Sequence, residues 1–463
     1  MTRYVFLVSL LVLTNCRDSS GAFDLHSSVA DLQAQALSDD TAWLLLESLT
    51  TEIGARMGGS EADARAVAWA RSKMQDMGFD RVWLEHVDFP LWLRNAETAR
   101  LLAPAAQQLD VTALGGSPGT NGAIRGEVIH FNNLEALEAA THEIVEGKIV
   151  FISERMAHSR DGAGYGKTVR QRSRGPFVAA ARGALALLIR SVGTDADGVP
   201  HTGMISGSQP GSPVPSAALS HPSADLLAGF LDGPGPVMVE LDLDCGFDGR
   251  GVSQNVIGEF EGSGDSGEFV VVGAHLDSWD LGTGAMDDGA GVAITMAAAK
   301  LVADQEQRPQ RGIRVVLFAN EEQGVYGGKA YAAAHATELA QHVLGAESDL
   351  GSGRIYRFLS RVSEESEPAI EEIAELLSPL GIPRDRTKIA NGGADLGQMR
   401  KIGMPVIDLS QDASRYFDLH HTSNDTLDRV DPQDLQFNVA AWVTLIQWAA
   451  SAETVFGPVA PSE

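Results

Sequence analysis

Apolar and polar positions follow three successive patterns along the chain. Residues 39–79 carry apolar side chains at helical spacing in two blocks separated by glycine, which predicts two helices. Residues 80–92 and 97–115 alternate or run continuously apolar between Pro and Gly, which predicts strands. From Val252 onward, short apolar runs alternate with longer amphipathic ones, the pattern of strands and helices that form a largely parallel sheet.

Nine elements can be placed in this last part of the chain. We predict strands over 268–275, 312–320, 342–347, 354–360 and 404–410. We predict helices over 290–304, 327–341, 367–381 and 432–450. The expected fold class is therefore α/β, with a mostly parallel, mixed sheet flanked by helices.

The middle of the chain has a different pattern of apolar and polar residues. Residues 120–248 contain short strand-like runs separated by stretches rich in Gly, Pro and Ser, so we expect a smaller, β-rich inserted domain. The main domain would then consist of residues 37–119 and 249–455. Five histidines are scattered through the insert without metal-ligand spacing, and we interpret them as surface or core residues: His130, His142, His158, His201 and His221.

The first residues read as an export signal. Residues 1–16 hold one Arg and an apolar run that is too short to span a bilayer. The cysteine that follows this run, Cys16, resembles the lipidated residue of a bacterial lipobox, and a plain cleaved signal is the alternative. Residues 17–36 are expected to form a tether. With Cys245 as the one other cysteine, no disulfide framework is predicted.

Charge excludes one class of partner. The sequence has 35 Lys and Arg against 62 Asp and Glu, a net charge of −27, which repels nucleic acid and anionic membrane surfaces. Apolar residues make up 44% and charged residues 21%, as in folded globular proteins. Carboxylates are also ligands of divalent metals, so the motifs must decide whether a metal site exists.

Acids and imidazoles stand where successive predicted strands end. In open α/β sheets ligands bind at the carboxyl ends of the strands. Each group alone has an ordinary explanation, such as a helix cap or a charge that complements a helix dipole. The groups are His275 with Asp277, Asp287 with Asp288, Glu321 with Glu322, Glu347 with Asp349, and His420 with His421.

Together these side chains predict a metal centre. Several carboxylates at one edge would carry a large uncompensated negative charge unless cations lay among them. Nitrogen and carboxylate donors without thiolate suit catalytic zinc, and the surplus of carboxylates suits two ions that share a bridging carboxylate. Hydrolysis also needs a carboxylate that takes a proton from water, and two adjacent glutamates provide one for the metal and one for the water.

Four motifs carry a family resemblance. HLDSWDLGTGAMDDGAGV, NEEQGVYGG, ESD and HHTSNDT resemble the di-zinc exopeptidases of the bacterial leucyl aminopeptidase type. The run HLDSWDLGTGAMDDG is more similar to the carboxypeptidase branch of that family than to its general aminopeptidases. The resemblance implies the zinc-exopeptidase fold, and the insert is similar in position to the protease-associated domain of such enzymes.

The resemblance also assigns roles. It implies two zinc ions per subunit, with His275 and Asp349 on one ion, Glu322 and His421 on the other, and Asp287 as the bridge. Glu321 is then the general base, and Asp277 orients the imidazole of His275. Asp395 competes with Asp349 as a ligand. Tyr416, with Phe417 and Trp279, is a candidate for the wall of the substrate pocket.

The expected function is hydrolysis of dipeptides or short peptides with a free terminus by a secreted or lipid-anchored homodimer. Two rivals are enzymes: an aminopeptidase on longer peptides, and a glutaminyl cyclase, which has a similar fold and binds a single zinc. A third rival is a binding module on the same fold without activity. The sequence itself leaves open which terminus of the peptide must be free.

Overall fold

The structure is a computed structural model that describes residues 24–208 and 213–461. The predicted export signal and Cys16 lie outside the described residues. Within these ranges, every helix is too short or too polar to cross a membrane.

Strands and helices occupy most of the described chain. The strands are β1 (Arg81–Ala103), β2 (Gln107–Leu109), β3 (Val111–Ala113), β4 (Ile124–Phe131), β5 (Ile149–Ile152), β6 (Ala186–Arg190), β7 (Ser216–Leu219), β8 (Met238–Phe260), β9 (Phe269–His275), β10 (Gly312–Phe318), β11 (His342–Glu347), β12 (Ile355–Arg361) and β13 (Val406–Gln411). The α-helices are α1 (Leu25–Ala36), α2 (Thr41–Ser48), α3 (Glu61–Asp76), α4 (Leu134–Glu138), α5 (His142–Val145), α6 (Ala163–Thr168), α7 (Arg170–Ser173), α8 (Gly175–Ala181), α9 (His221–Leu231), α10 (Ala290–Ala303), α11 (Tyr326–His335), α12 (Glu367–Leu377), α13 (Leu396–Lys401) and α14 (Pro432–Ser451).

The main sheet is mixed and mostly parallel, which confirms the predicted fold class. Its strand order is β12-β13-β11-β9-β10-β8, in which β13, β11, β9 and β10 are parallel, and β12 and β8 are antiparallel to their neighbours β13 and β10. Helices α10 and α14 pack on one face, and α11 and α13 pack on the other. Strand β9 sends Val270 and Val272 to the first face and Val271 to the second, so its whole apolar run is buried.

A second sheet extends from the first through two long strands. Strands β1 and β8 have 23 residues each and pair with each other along nearly their whole length. Beyond the main sheet, β8 pairs with β4, and the order continues β5-β6-β7-β3. We call residues 107–237 the inserted unit. Its strands β4 to β7 are parallel and alternate with helices, so the unit is α/β, whereas the sequence predicted a β-rich domain starting at 120.

The predicted tether over 17–36 is wrong from residue 25 onward. Helix α1 begins after Asp24, whose carboxylate accepts a hydrogen bond from the amide of His26, and packs against α14. Val29 and Leu32 are buried, and the side-chain amide of Gln33 donates to the carbonyl of Leu376 at 2.9 Å. The Ser and Asp residues that indicated a tether lie at the start and on the outer face of an amphipathic helix.

Candidate metal centre

Three neighbouring strands deliver acids and imidazoles to one edge of the main sheet. Strand β9 ends at His275, the chain reaches Glu321 and Glu322 directly after β10, and it reaches Asp349 directly after β11. Because these strands are parallel neighbours, their carboxyl ends lie side by side. The loop before α10 adds Asp287, and the loop after β13 adds two adjacent histidines.

The first group of possible ligands surrounds His275. Its Nε2 atom lies 3.0 Å from Asp287 Oδ1 and 3.7 Å from Asp349 Oδ1. One donor atom from each of these three residues lies within 4.8 Å of the other two. The competing acid, Asp395, accepts a hydrogen bond from the amide of Gly328 at 2.7 Å and is absent from this group.

The second group surrounds His421. Its Nε2 atom lies 2.9 Å from Glu322 Oε2 and 3.3 Å from Asp287 Oδ2. The two oxygens of Asp287 therefore face the two groups, one oxygen toward each imidazole. This is the arrangement that a bridging carboxylate requires.

His420 lies close to the second group as well. Its ring stacks on that of His421 with centroids 3.5 Å apart, and its Nε2 atom is 3.6 Å from Asp287 Oδ2. The cluster of donors around Asp287 Oδ2 therefore includes both histidines. His421 contacts Glu322, and this contact makes His421, rather than His420, the candidate ligand of the second group.

Unsatisfied polar atoms show that the donor set fits bound cations. In the described part of the chain, Asp287 Oδ2 and Glu322 Oε1 are buried without a hydrogen-bond partner, which is costly for a carboxylate. Burial, and then the charge of Asp287, raises the pKa of Glu322 well above its usual value. Burial alone would also raise the pKa of Asp287, but the hydrogen bond from His275 and the nearby imidazoles of His420 and His421 hold it well below its usual value. A set of imidazoles and carboxylates without thiolate is a zinc ligand set.

Asp277 connects His275 to the two glutamates. The backbone carbonyl of Asp277 accepts a hydrogen bond from His275 Nδ1 at 3.0 Å, while its carboxylate oxygen is 3.5 Å from that nitrogen. The carboxylate accepts hydrogen bonds from the amides of Glu321 at 2.9 Å and Glu322 at 3.3 Å. His275 Nδ1 is thus held mainly by the backbone oxygen, which leaves Nε2 free for a metal.

Glu321 lies in the wall of a cavity of about 550 Å³ that is also lined by Asp287, Glu322, Asp349 and His421. Its side chain is partly exposed to this cavity, and it belongs to neither ligand group. Burial, together with the charges of Asp349 and Glu322, raises the pKa of Glu321 well above its usual value. A carboxylate with a raised pKa beside water suits general acid–base catalysis at neutral pH.

The inserted unit supplies part of the cavity wall. The guanidinium of Arg172 donates to the hydroxyl of Tyr165 at 2.6 Å and to the carbonyl of Thr202 at 3.2 Å. Tyr165 stacks on Phe417 with ring centroids 4.9 Å apart. No sequence motif pointed to Tyr165 or Arg172, because only the packing of the two sheets brings them to the site.

The three aromatic candidates separate into two groups. Tyr416 and Phe417 line the cavity, and the ring of Tyr416 lies 5.0 Å from that of His420. Trp279 lies behind His421 at 5.7 Å and packs edge-on against Trp92. Tyr416 therefore remains a candidate for substrate contact, and Trp279 is a packing residue.

A buried arginine holds the loops that carry the ligands. Arg56 is fully buried and donates to the carbonyls of Leu276, Thr283 and Gly284 at 2.5, 2.6 and 2.9 Å. Asp425 accepts hydrogen bonds from the amides of Met286 and Asp287 at 2.6 and 3.1 Å. Asp425 lies in the HHTSNDT motif, whereas Arg56 is more than 200 residues from the loops that it holds and gave no signal in the sequence.

This fold and these paired ligand groups define a metallopeptidase. A sequence model of Peptidase family M28 matches residues 255–446. The chain is 33% identical over 433 residues to carboxypeptidase Q of Xenopus laevis, covering 93% of this chain and 90% of that protein. The chain therefore belongs to peptidase family M28, as the motifs predicted, and is an enzyme.

Solved structures support the same assignment. The peptidase M28 precursor from Shewanella amazonensis SB2B is 44% identical, with a TM-score of 0.91 over 95% of this chain and 99% of that one. A zinc aminopeptidase from Bacillus subtilis is 18% identical, with a TM-score of 0.65 over 91% of this chain and 98% of that one. The second likeness shows a common fold.

Proposed function

We propose that this peptidase is a zinc-dependent exopeptidase that hydrolyses dipeptides or short peptides with a free terminus. The observation that carries the proposal is the position of Asp287, whose two oxygens face two ligand groups beside the unshared carboxylate of Glu321. Similarity to carboxypeptidase Q of Xenopus laevis supports cleavage next to a free carboxyl end.

Five residues would hold two zinc ions per subunit. We assign His275 and Asp349 to one ion, Glu322 and His421 to the other, and Asp287 to both. When bound, the pair would polarise the scissile carbonyl and lower the pKa of a nearby water.

Glu321 would move the proton. Its carboxylate takes a proton from the water as the new carbon–oxygen bond forms, and then delivers this proton to the nitrogen of the leaving amine as the carbon–nitrogen bond breaks. Asp277 acts as a positioning residue, because its carboxylate holds the backbone amides of Glu321 and Glu322 while its carbonyl orients His275.

The size and charge of the cavity favour short substrates with a free carboxylate. A volume of about 550 Å³ is within the range of small-ligand pockets. Arg172 is a buried cation in its wall, and its Nε atom has no hydrogen-bond partner among the described residues. A terminal carboxylate is the substrate group that suits such a guanidinium.

Cleavage of a dipeptide panel tests the proposal. Free, N-acetylated and C-amidated dipeptides are incubated with the zinc-loaded protein, with Glu321→Gln as the control. We expect free dipeptides to be cleaved, C-amidation to block cleavage, and the control to lose at least about 100-fold in kcat. Cleavage that tolerates C-amidation but not N-acetylation would identify an aminopeptidase. Cyclisation of N-terminal glutamine would identify a cyclase. The absence of any turnover would identify a binding module.

Export and assembly are separate proposals. We propose that residues 1–16 direct export, that Cys16 is lipidated, and that the mature protein is a homodimer with an inserted protease-associated-like domain. Cys16→Ser should move the protein from the membrane fraction to the soluble fraction of the cell envelope. Light scattering of the purified protein should give twice the mass of the chain, and a monomer mass would contradict the dimer.

A further inference from the structure

A carboxylate and two imidazoles meet inside the inserted unit, away from the catalytic cavity. Asp195 and His201 lie in the loop after β6, and His221 begins α9 directly after β7. Strands β6 and β7 are parallel neighbours, so their carboxyl ends adjoin. This is the position where α/β sheets bind ligands, here in the second sheet of the molecule.

The three donor groups converge on one point and are shielded from water. Asp195 Oδ1 lies 2.6 Å from His201 Nε2 and 3.3 Å from His221 Nε2. The side chains are 6%, 0% and 5% exposed in the order Asp195, His201, His221. The His221 separation falls within the range of the catalytic groups, where imidazole nitrogens lie 2.9 to 3.7 Å from carboxylate oxygens, and the His201 separation is shorter.

His201 is oriented as metal-binding histidines are. Its Nδ1 atom lies 2.7 Å from the carbonyl oxygen of His420 and donates to it, so Nε2 points toward Asp195. Metal-ligating histidines commonly donate their second nitrogen to a backbone carbonyl in this way. Gly193 packs so closely against the ring that a Cβ atom there would lie 2.4 Å from Nε2, so the absence of a side chain at this position leaves room for the imidazole.

His221 supplies a second, independent observation. Both of its ring nitrogens are buried, and neither makes a hydrogen bond with any residue in the described ranges. Leaving a buried imidazole without a hydrogen bond destabilises the folded state. Its Nε2 atom faces Asp195 Oδ1 at 3.3 Å, too poorly aligned for a hydrogen bond but well placed for a shared ligand.

We propose that Asp195, His201 and His221 bind a structural zinc ion, separate from the catalytic centre. Two neutral imidazoles and one carboxylate form a common zinc ligand set, with a fourth position left for water. The ion would satisfy His221 and balance the charge of Asp195.

The site would connect the inserted unit to the catalytic loop. His201 holds the carbonyl of His420, and the next residue, Thr202, donates its amide to the carbonyl of His421 at 3.1 Å. A zinc ion at Asp195 therefore fixes the loop of 191–203, the start of α9 and the loop that carries His421. Its role is structural, because none of its three ligands lines the catalytic cavity.

Zinc content per chain tests the site. Wild-type protein and the variants His221→Ala, Asp195→Asn and His142→Ala are loaded with zinc chloride, dialysed and assayed by mass spectrometry of the metal. We expect the first two variants to hold one equivalent less than wild type. His142 is an exposed histidine of the same unit, so His142→Ala should match wild type. Asp287→Ala, which removes the bridge of the catalytic centre, should retain the equivalent that His221→Ala loses. The outcome is therefore independent of the proposed peptidase activity.

A second measurement does not depend on the folding of the variants. Crystals of the wild-type protein grown with zinc should show an anomalous peak about 2.0–2.1 Å from Nε2 of His201 and of His221. Equal zinc content in wild type and the folded His221→Ala variant, or no anomalous peak between these nitrogens, would overturn the proposal. The cluster would then be a hydrogen-bonded brace without metal.

Discussion

At the residue scale, Asp287 is the side chain on which the charge balance of the centre depends. It lies between two imidazoles, and its oxygens are 3.0 Å from His275 Nε2 and 3.3 Å from His421 Nε2. The remaining carboxylates of the site repel one another, and burial raises their pKa values. Cations bound at Asp287 would compensate both effects.

The two adjacent histidines can be separated by mutation. His421→Ala removes a nitrogen that faces both Glu322 and Asp287, so we expect loss of bound zinc and at least about 100-fold lower kcat/KM. His420→Ala removes a ring that stacks on His421, so zinc content should stay at the wild-type level with activity lowered less than about tenfold. Metal analysis and dipeptide assays check both. The reverse order of effects would make His420 the ligand.

Asp63, which is not a metal ligand, should make the free energy of unfolding depend on pH. Burial raises the pKa of Asp63 to about 6, against hydrogen bonds from Gly59 and Ser253 that lower it. The nearest charges are Asp277, which adds to the rise, and Arg56, which opposes it. Because the folded state holds this proton more tightly than the unfolded chain, stability from this group is present below about pH 4 and is lost as pH rises to about 6.

Asp63→Asn should remove that pH dependence. The amide cannot ionise; its oxygen can accept from the amide of Gly59, and its NH2 group can donate to Ser253 Oγ. The variant should therefore gain up to about 2–3 kcal/mol relative to wild type between pH 4 and pH 7.5. Denaturant unfolding of zinc-loaded wild type and variant at several pH values measures the difference. A constant difference across this range would show that Asp63 does not titrate there.

Several site residues could be predicted because they are attached to strand ends. His275, Glu321, Glu322 and Asp349 follow apolar runs that are recognisable in one sequence, and parallel strands bring such positions together. Arg56 and Arg172 could not be predicted. Their roles depend on contacts between residues that are more than 200 positions apart in the sequence or that lie in different sheets. Such contacts cannot be predicted from the local sequence.

At the element scale, the parallel strands and their helices match the sequence pattern closely. The strand predicted over 342–347 is β11, and the helix predicted over 432–450 is α14 with one further residue. Agreement is good here because buried strands of a parallel sheet are apolar throughout. Two strands predicted over 80–92 and 97–115 are instead mainly one, β1, because bulges on both sides of Trp92 and near Ala103 let the strand pass Pro90 and bend.

Helix α1 should contribute to global stability. Leu32 is fully buried against the main core, so Leu32→Ala should lower the free energy of unfolding by about 2–5 kcal/mol. Gln35→Ala on the exposed face of the same helix is the control and should change it by less than about 0.5 kcal/mol. Chemical denaturation measures both. Equal, small effects would mean that the helix is detached in solution, as a tether would be.

At the scale of the whole molecule, the inserted unit closes one side of the catalytic cavity. Tyr165 and Arg172 come from this unit, and Phe417 and Glu321 come from the main domain. The sequence predicted a β-rich insert between two parts of the main domain, but the α/β arrangement of the inserted unit was not recognised. Its parallel strands have only four to eight residues, too few to show a clear pattern.

This closure predicts a dependence on substrate length. Dipeptides should be cleaved with a higher kcat/KM than tetrapeptides of the same first two residues, by about tenfold or more, because extra residues must displace the wall formed by Tyr165 and Arg172. A series of two to six residues measured by chromatography checks this. Arg172→Met is the matched variant and should reduce the preference for a free over an amidated carboxyl end. Rates that rise with length would favour a long-peptide aminopeptidase.

The paired strands β1 and β8 have a consequence for protein engineering. The chain leaves the main sheet on β1 and returns on β8, where Pro90 lies opposite Arg250, so the two ends of the departing segment are only one strand spacing apart. On the far side, β1 and β8 remain paired as far as Ala103 and Met238, with bulges at three places. Such a ribbon is a natural crossover point for recombination: related enzymes could exchange everything beyond it and keep their catalytic half in register. Substrate selection would then be transferred together with the exchanged segment.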